Sequence, residues 1–101
     1  RVFSKTEILS CEKKQNSYSC FAKRFAAKEA FVKSLGTGFR NNINFKDISV
    51  VNTPYGKPKI LLNSKIKKII DKKFKLNKFK IFLSISDEKK YSIAFVIINK
   101  R

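Results

Sequence analysis

The stretch Phe21-Ala-Lys-Arg-Phe-Ala-Ala-Lys-Glu-Ala-Phe-Val-Lys-Ser-Leu-Gly-Thr-Gly38 constrains this chain more than any other. Its Ala, Lys, Arg, Glu and Leu favour a helix, no proline interrupts it, and Gly36 offers the permissive backbone on which helices commonly end. With Ser17 as cap, the helix is expected to run through Leu35. At about 100° per residue Tyr18, Phe21, Phe25, Val32 and Leu35 fall on one side, which must face a core. Lys28 falls on that side too, where its stem can pack while its ammonium snorkels. Glu29 and Lys33, four apart, share a neighbouring strip with Ala22 and Ala26, so a carboxylate and an ammonium stand over a low floor. On spacing alone the pair reads first as a surface ion pair worth a few tenths of a kcal/mol.

The rest of the chain frames that helix. Ser4-Lys-Thr-Glu7 is a capping-box pattern that opens a short helix through about Lys13, and Lys14-Gln-Asn-Ser17 is a polar turn. After the polar Arg40-Asn-Asn42, the β-branched Asp47-Ile-Ser-Val-Val51 suits a strand. Pro54 and Gly56 make Thr53 to Pro58 a turn, so Lys59 to Leu62 returns as the partner strand. Asn63 or Ser64 caps a helix through about Phe74, with Ile66, Ile69 and Ile70 inward and Lys65, Lys67, Lys68, Lys72 and Lys73 toward water. Lys80 to Ser86 and Tyr91 to Asn99 read as a second hairpin joined by Asp87-Glu-Lys-Lys90. In its first strand Phe82, Ser84 and Ser86 point one way and Ile81, Leu83 and Ile85 the other.

With 101 residues and 43% hydrophobic content, one modest core and one domain spanning 1–101 are expected. Lys and Arg number 24 against 7 Asp and Glu, a net charge of +17 with no histidine, so the partners to expect are anionic. Cys11 and Cys20 match no metal-ligand spacing, and reduced thiols are the expectation. No apolar run is long enough to span a bilayer, and Arg1-Val-Phe-Ser lacks the apolar stretch of a secretory signal. A cytoplasmic protein follows by elimination. The chain contains no Met, which suggests an incomplete or processed product.

The wording Arg-Phe-Ala-Ala-Lys-Glu-Ala-Phe-Val-Lys-Ser-Leu-Gly-Thr-Gly resembles the signature helix of the holo-acyl-carrier-protein synthases, the small phosphopantetheinyl transferases. Gly56-Lys57-Pro58, Leu83-Ser84-Ile85-Ser86 and Tyr91 to Ile98 resemble that family's other motifs, and the likeness runs the length of the chain. It implies an α+β fold with the long helix packed on antiparallel strands, a trimer with active sites between subunits, and transfer of the phosphopantetheine arm of coenzyme A to a serine of acyl carrier protein for fatty acid synthesis. By the same resemblance Glu29 is a Mg²⁺ ligand and Lys33 contacts the phosphates. Gly56, Lys57 and Pro58 border the adenosine end of coenzyme A, Ser84 and Ser86 lie near its phosphates, and Arg24 matches the family arginine before Phe-Ala-Ala. The chemistry agrees: attack on a pyrophosphate needs a divalent ion held by carboxylates, nearby cations and a way to remove the serine proton.

The sequence departs from the pattern twice. The family's Gly-x-Asp-Ile type segment, whose Asp is a second metal ligand, has no counterpart in 1–101. Asp87 stands where many members have a histidine; it can accept a hydrogen bond from coenzyme A or act as a weak base, but cannot imitate a protonated imidazole. Two rival readings remain at this point. A small basic nucleic-acid-binding protein fits +17, ten Phe and three Tyr, although no binding signature is present. A noncatalytic remnant that binds carrier protein fits the missing segment. A membrane-surface role lacks a helix combining a basic face with a broad aromatic one.

Overall fold

The computed structural model describes residues 2–36, 43–74, 79–87 and 92–100, with backbone alone at 73, 74, 79, 87, 92, 93, 95, 99 and 100. Helix α1 (Lys5–Glu12) and the long helix α2 (Ser17–Leu35) are followed by a short 3-10 turn at Phe45–Asp47. Strands β1 (Ile48–Asn52) and β2 (Pro58–Leu62) come next, then helix α3 (Ser64–Phe74) and strands β3 (Phe79–Asp87) and β4 (Ser92–Lys100). The strands form two separate antiparallel pairs, β1 with β2 and β3 with β4.

Local chemistry explains the boundaries. Ser4 and Glu7 form the expected capping box at the start of α1. Asn16, one residue before the expected Ser17, caps α2 by accepting from the Ser19 amide at 3.0 Å. Gly36 closes the helix at φ +93, its amide donating to Lys33 O. The remainder of the expected glycine turn, Thr37 and Gly38, lies outside the described residues, as does the loop at Arg40 to Asn42. In the β1–β2 turn the Thr53 amide donates to Lys57 O and the Gly56 amide to Thr53 O. Gly56 holds φ +82 there, a conformation that favours glycine. Asn63 caps α3 by accepting from the Ile66 amide at 3.0 Å.

The core lies between α2, the two hairpins and α3. Phe31, Val32 and Leu35 of α2 pack with Ile48, Val50, Ile60, Ile66 and Ile70. Ile81, Leu83 and Ile85 of β3, and Ala94, Val96 and Ile98 of β4, turn one face of the second hairpin onto that core. Phe82, Ser84, Ser86 and Ile97 are exposed on its other face, so the expected alternation along β3 holds.

The expected apolar side of α2 requires correction. Tyr18 is 83% and Phe25 42% exposed, while the buried positions are Cys20, Arg24, Ala27, Lys28, Phe31, Val32 and Leu35. These seven keep helical spacing, so the stripe is regular but includes two basic residues. The aromatics pack outside it, Phe21 against Phe3 at 4.8 Å and Phe25 against Phe45 at 6.0 Å between ring centroids. Reduced thiols are also corrected: Cys11 and Cys20 form a disulfide that ties α1 to α2.

Candidate functional site

The buried charge on α2 is organised by Glu7. Its Oε1 accepts from the Ser4 amide at 2.9 Å and pairs with Lys28 Nζ at 2.5 Å, both side chains being 0% exposed. Its Oε2 accepts from the Val50 amide at 2.8 Å. Lys28 Nζ donates further to Val2 O at 2.6 Å and Phe45 O at 2.9 Å, so all three ammonium protons have acceptors. Lys28 therefore does not snorkel. Burial pushes its ammonium below the usual lysine range, against the opposing hydrogen bond and charge of Glu7.

Arg24 lies one turn earlier, 5% exposed. Its Nε donates to Val50 O at 3.0 Å, its Nη1 to Cys20 Sγ at 3.0 Å and its Nη2 to Ser10 Oγ at 3.5 Å. Burial lowers its pKa as well, partly offset by Glu7. Val50 thus has its amide held by Glu7 and its carbonyl by Arg24. Two charged side chains satisfy strand groups that would otherwise invite another strand.

Arg24, Gly56 and Pro58, expected near coenzyme A, meet at a cavity of about 430 Å³. Lys14, Asn16 and Lys23 also line it, and no acidic side chain does among the described residues. A concave site with three basic side chains suits an anionic ligand. Sequence reading missed Lys14 and Asn16, taken as a turn, because only the fold brings the α1–α2 corner against the β1–β2 hairpin.

A second cavity of about 490 Å³ brings Lys57, Pro58 and Ser84 together beside Lys80, Phe82 and Ile97. Ser86 is exposed on the same face of β3. Asp87 ends β3, and its side chain lies outside the described part.

Glu29 and Lys33 border neither cavity. Glu29 is half-buried and Lys33 exposed. The ion pairs among the described residues are Lys28–Glu7 and Lys65–Asp47, so Glu29 and Lys33 are not locked to each other. No hydrogen bond or ion pair engages Glu29 among the described residues. No group of three or more His, Cys, Asp or Glu able to hold a metal is present among them either. One unengaged carboxylate is a fitting donor for a hard cation that completes its shell with phosphate oxygens and water, the usual manner of Mg²⁺. It does not fit a metal caged wholly by protein.

No helix among the described residues is long and apolar enough to cross a membrane. The sequence profile of the 4'-phosphopantetheinyl transferase superfamily matches residues 1–96. The holo-[acyl-carrier-protein] synthase of Pelagibacter ubique is 59% identical over 101 residues, an alignment that covers 100% of this chain and 79% of that protein. The crystal structure of the Neisseria meningitidis holo-[acyl-carrier-protein] synthase superposes with a TM-score of 0.84 at 32% identity, covering 100% of this chain and 78% of the other. The Helicobacter pylori synthase, solved in complex with coenzyme A, gives 0.75 at 31% identity over 98% of this chain and 78% of its own.

Proposed function

The chain belongs to the 4'-phosphopantetheinyl transferase superfamily, and we propose that it transfers the phosphopantetheine arm of coenzyme A to a serine of acyl carrier protein in a Mg²⁺-dependent reaction that supplies fatty acid synthesis. The observation that carries this reading is Glu29, a half-buried carboxylate that no hydrogen bond or ion pair engages among the described residues, beyond a basic cavity on the same helix. Arg24 and Glu29 are five residues apart, about 7.5 Å of helical rise. A nucleotide seated in the cavity beside Arg24 can therefore extend its pyrophosphate along α2 toward Glu29.

In this arrangement Lys14, Lys23, Gly56 and Pro58 receive the adenosine end of coenzyme A. Gly56 lets backbone approach the ligand closely, since nothing lies within 4 Å of the place a Cβ would occupy. Arg24, already committed to Val50, Cys20 and Ser10, shapes the cavity wall and adds its charge. Lys33 meets the phosphates as a flexible cation. Glu29 would hold Mg²⁺, which when bound offsets charge on the pyrophosphate oxygens. Lys57 of the β1–β2 turn and Ser84 and Ser86 of the second hairpin line the approach, with Asp87 next in sequence as a hydrogen-bond acceptor for coenzyme A. The carrier serine oxygen attacks the β-phosphorus and gives up its proton to solvent, while the bond from that phosphorus to the 3',5'-bisphosphate of adenosine breaks and the bisphosphate leaves.

The exposed Phe82 and Ile97 on the outer face of the second hairpin support a homotrimer whose copies cover that face. We take residues 1–101 as one cytoplasmic transferase domain. In that compartment the Cys11–Cys20 pair would meet the reducing thiol pool.

The test is direct. Purified protein, coenzyme A and an apo carrier protein with Mg²⁺ should raise the carrier's mass by one phosphopantetheine, and chelation of the metal should stop it. Carrier binding without any mass change, at saturating Mg²⁺, would overturn the catalytic reading in favour of a binding remnant.

A further inference from the structure

We propose that Glu7 and Lys28 are positioning residues for Glu29: their buried ion pair fixes the rotation of α2 and so the direction in which the neighbouring carboxylate points. This rests on the role given to Glu29 above. Most of what α2 presents to the core is apolar, and apolar contact is non-directional. Lys28 is different, because its three protons bind acceptors on three separate segments: Glu7 on α1, Val2 ahead of it, and Phe45 before β1. Glu7 in turn grips the β1 amide of Val50. Rotating α2 about its axis would break these bonds together. Arg24 makes a further directional bond to β1, but it lies a turn nearer the start of α2 than Lys28, which directly precedes Glu29.

Geometry gives the sensitivity. A carboxylate about 6 Å from a helix axis moves about 1 Å for a rotation of roughly 10°. Metal and phosphate positioning tolerates only about 0.5 Å, and a misplacement near 1 Å can cost about a hundredfold in rate. Side chains that only filled space at positions 7 and 28 would leave that angle to apolar packing and to the Arg24 bond and the Cys11–Cys20 disulfide, both of which act nearer the start of α2. Removing one partner alone strands a buried charge, so the informative variant changes both.

The test uses Glu7→Gln combined with Lys28→Gln in the full chain, with folding checked by circular dichroism and a cooperative melt. Mn²⁺ binding in the presence of coenzyme A is read by water-proton relaxation, and turnover is read separately. The expected result is a folded double variant with Mn²⁺ affinity and turnover each reduced about tenfold or more and an unchanged KM for carrier protein. These losses should largely disappear when the pair is introduced into a Glu29→Gln background, because both changes act on one carboxylate. If the Gln pair does not fold, Glu7→Leu with Lys28→Met fills the same space and is read in the same way. A folded variant with wild-type Mn²⁺ affinity and turnover overturns the proposal, and so do losses that simply add to those of Glu29→Gln. A starting protein that binds Mn²⁺ with coenzyme A but transfers nothing defeats the transferase reading while the binding arm still decides the positioning role. One that binds no Mn²⁺ at all defeats both.

Discussion

At the scale of single residues, Glu29→Gln keeps shape and helix propensity while removing the charge a hard cation needs. Turnover should fall by roughly 10² or more with the melting curve unchanged, and a steady-state assay across Mg²⁺ concentration checks it. Retained turnover with the same metal dependence would remove Glu29 from the site. Lys33→Ala should raise the coenzyme A KM by about tenfold or more, the worth of one charge-assisted contact, and isothermal titration reads the same loss directly. The motif and the helical spacing put Glu29 and Lys33 forward as candidates, and on α2 the first is half-buried and the second exposed. The fate of Glu7 was only half legible. The capping box accounts for the Ser4 contacts, but Oε2 reaches Val50 and Oε1 also reaches Lys28, partners far along the chain that no local pattern contains. The burial of Arg24 was not legible for the same reason, since its Nε donates to a strand carbonyl twenty-six positions away.

At the scale of elements, the hairpins, the α1 capping box and the α3 cap were readable because each depends on neighbours within a few residues, as Asn63 does on Ile66. The phase of α2 was not. Counting apolar letters turned Tyr18 and Phe25 inward, whereas the buried stripe includes Arg24 and Lys28, polar residues made buriable by partners on other elements. The disulfide escaped similarly, because it depends on how α1 folds back on α2. The β1–β2 turn offers a test at this scale. Gly56 has open space for a Cβ but holds φ +82, so Gly56→Ala strains the backbone without a steric clash. Urea denaturation should show a loss of about 1 kcal/mol, and the coenzyme A KM should rise as the turn shifts away from Pro58. Unchanged stability and KM would mean that the turn relaxes freely and does not shape the nucleotide end.

At the scale of the whole molecule, two properties act together: the exposed Phe82 and Ile97 on the outer hairpin face and a net charge of +17. Light scattering at micromolar concentration should give the mass of three chains, and a well-behaved monomer would refute the assembly. The charge bears on the encounter with the second substrate. Carrier proteins of this class are typically acidic, so long-range attraction should raise the association rate and fade as ions screen it beyond about 10 Å at 0.1 M salt. The rate at low carrier concentration is therefore expected to fall as salt rises. Coenzyme A is anionic too, so the titration is repeated with coenzyme A saturating and Mg²⁺ fixed, which isolates the carrier step. Lys5, exposed at the start of α1, is a candidate docking residue, and its neighbour in charge, Arg1, lies outside the described residues. Lys5→Glu should raise the carrier KM more than it changes coenzyme A affinity. Equal effects on both would mean that the charge acts as a diffuse field with no docking face at α1. If neither salt nor Lys5→Glu alters the carrier step, recognition is mainly apolar, and the positive charge has no part in choosing the partner.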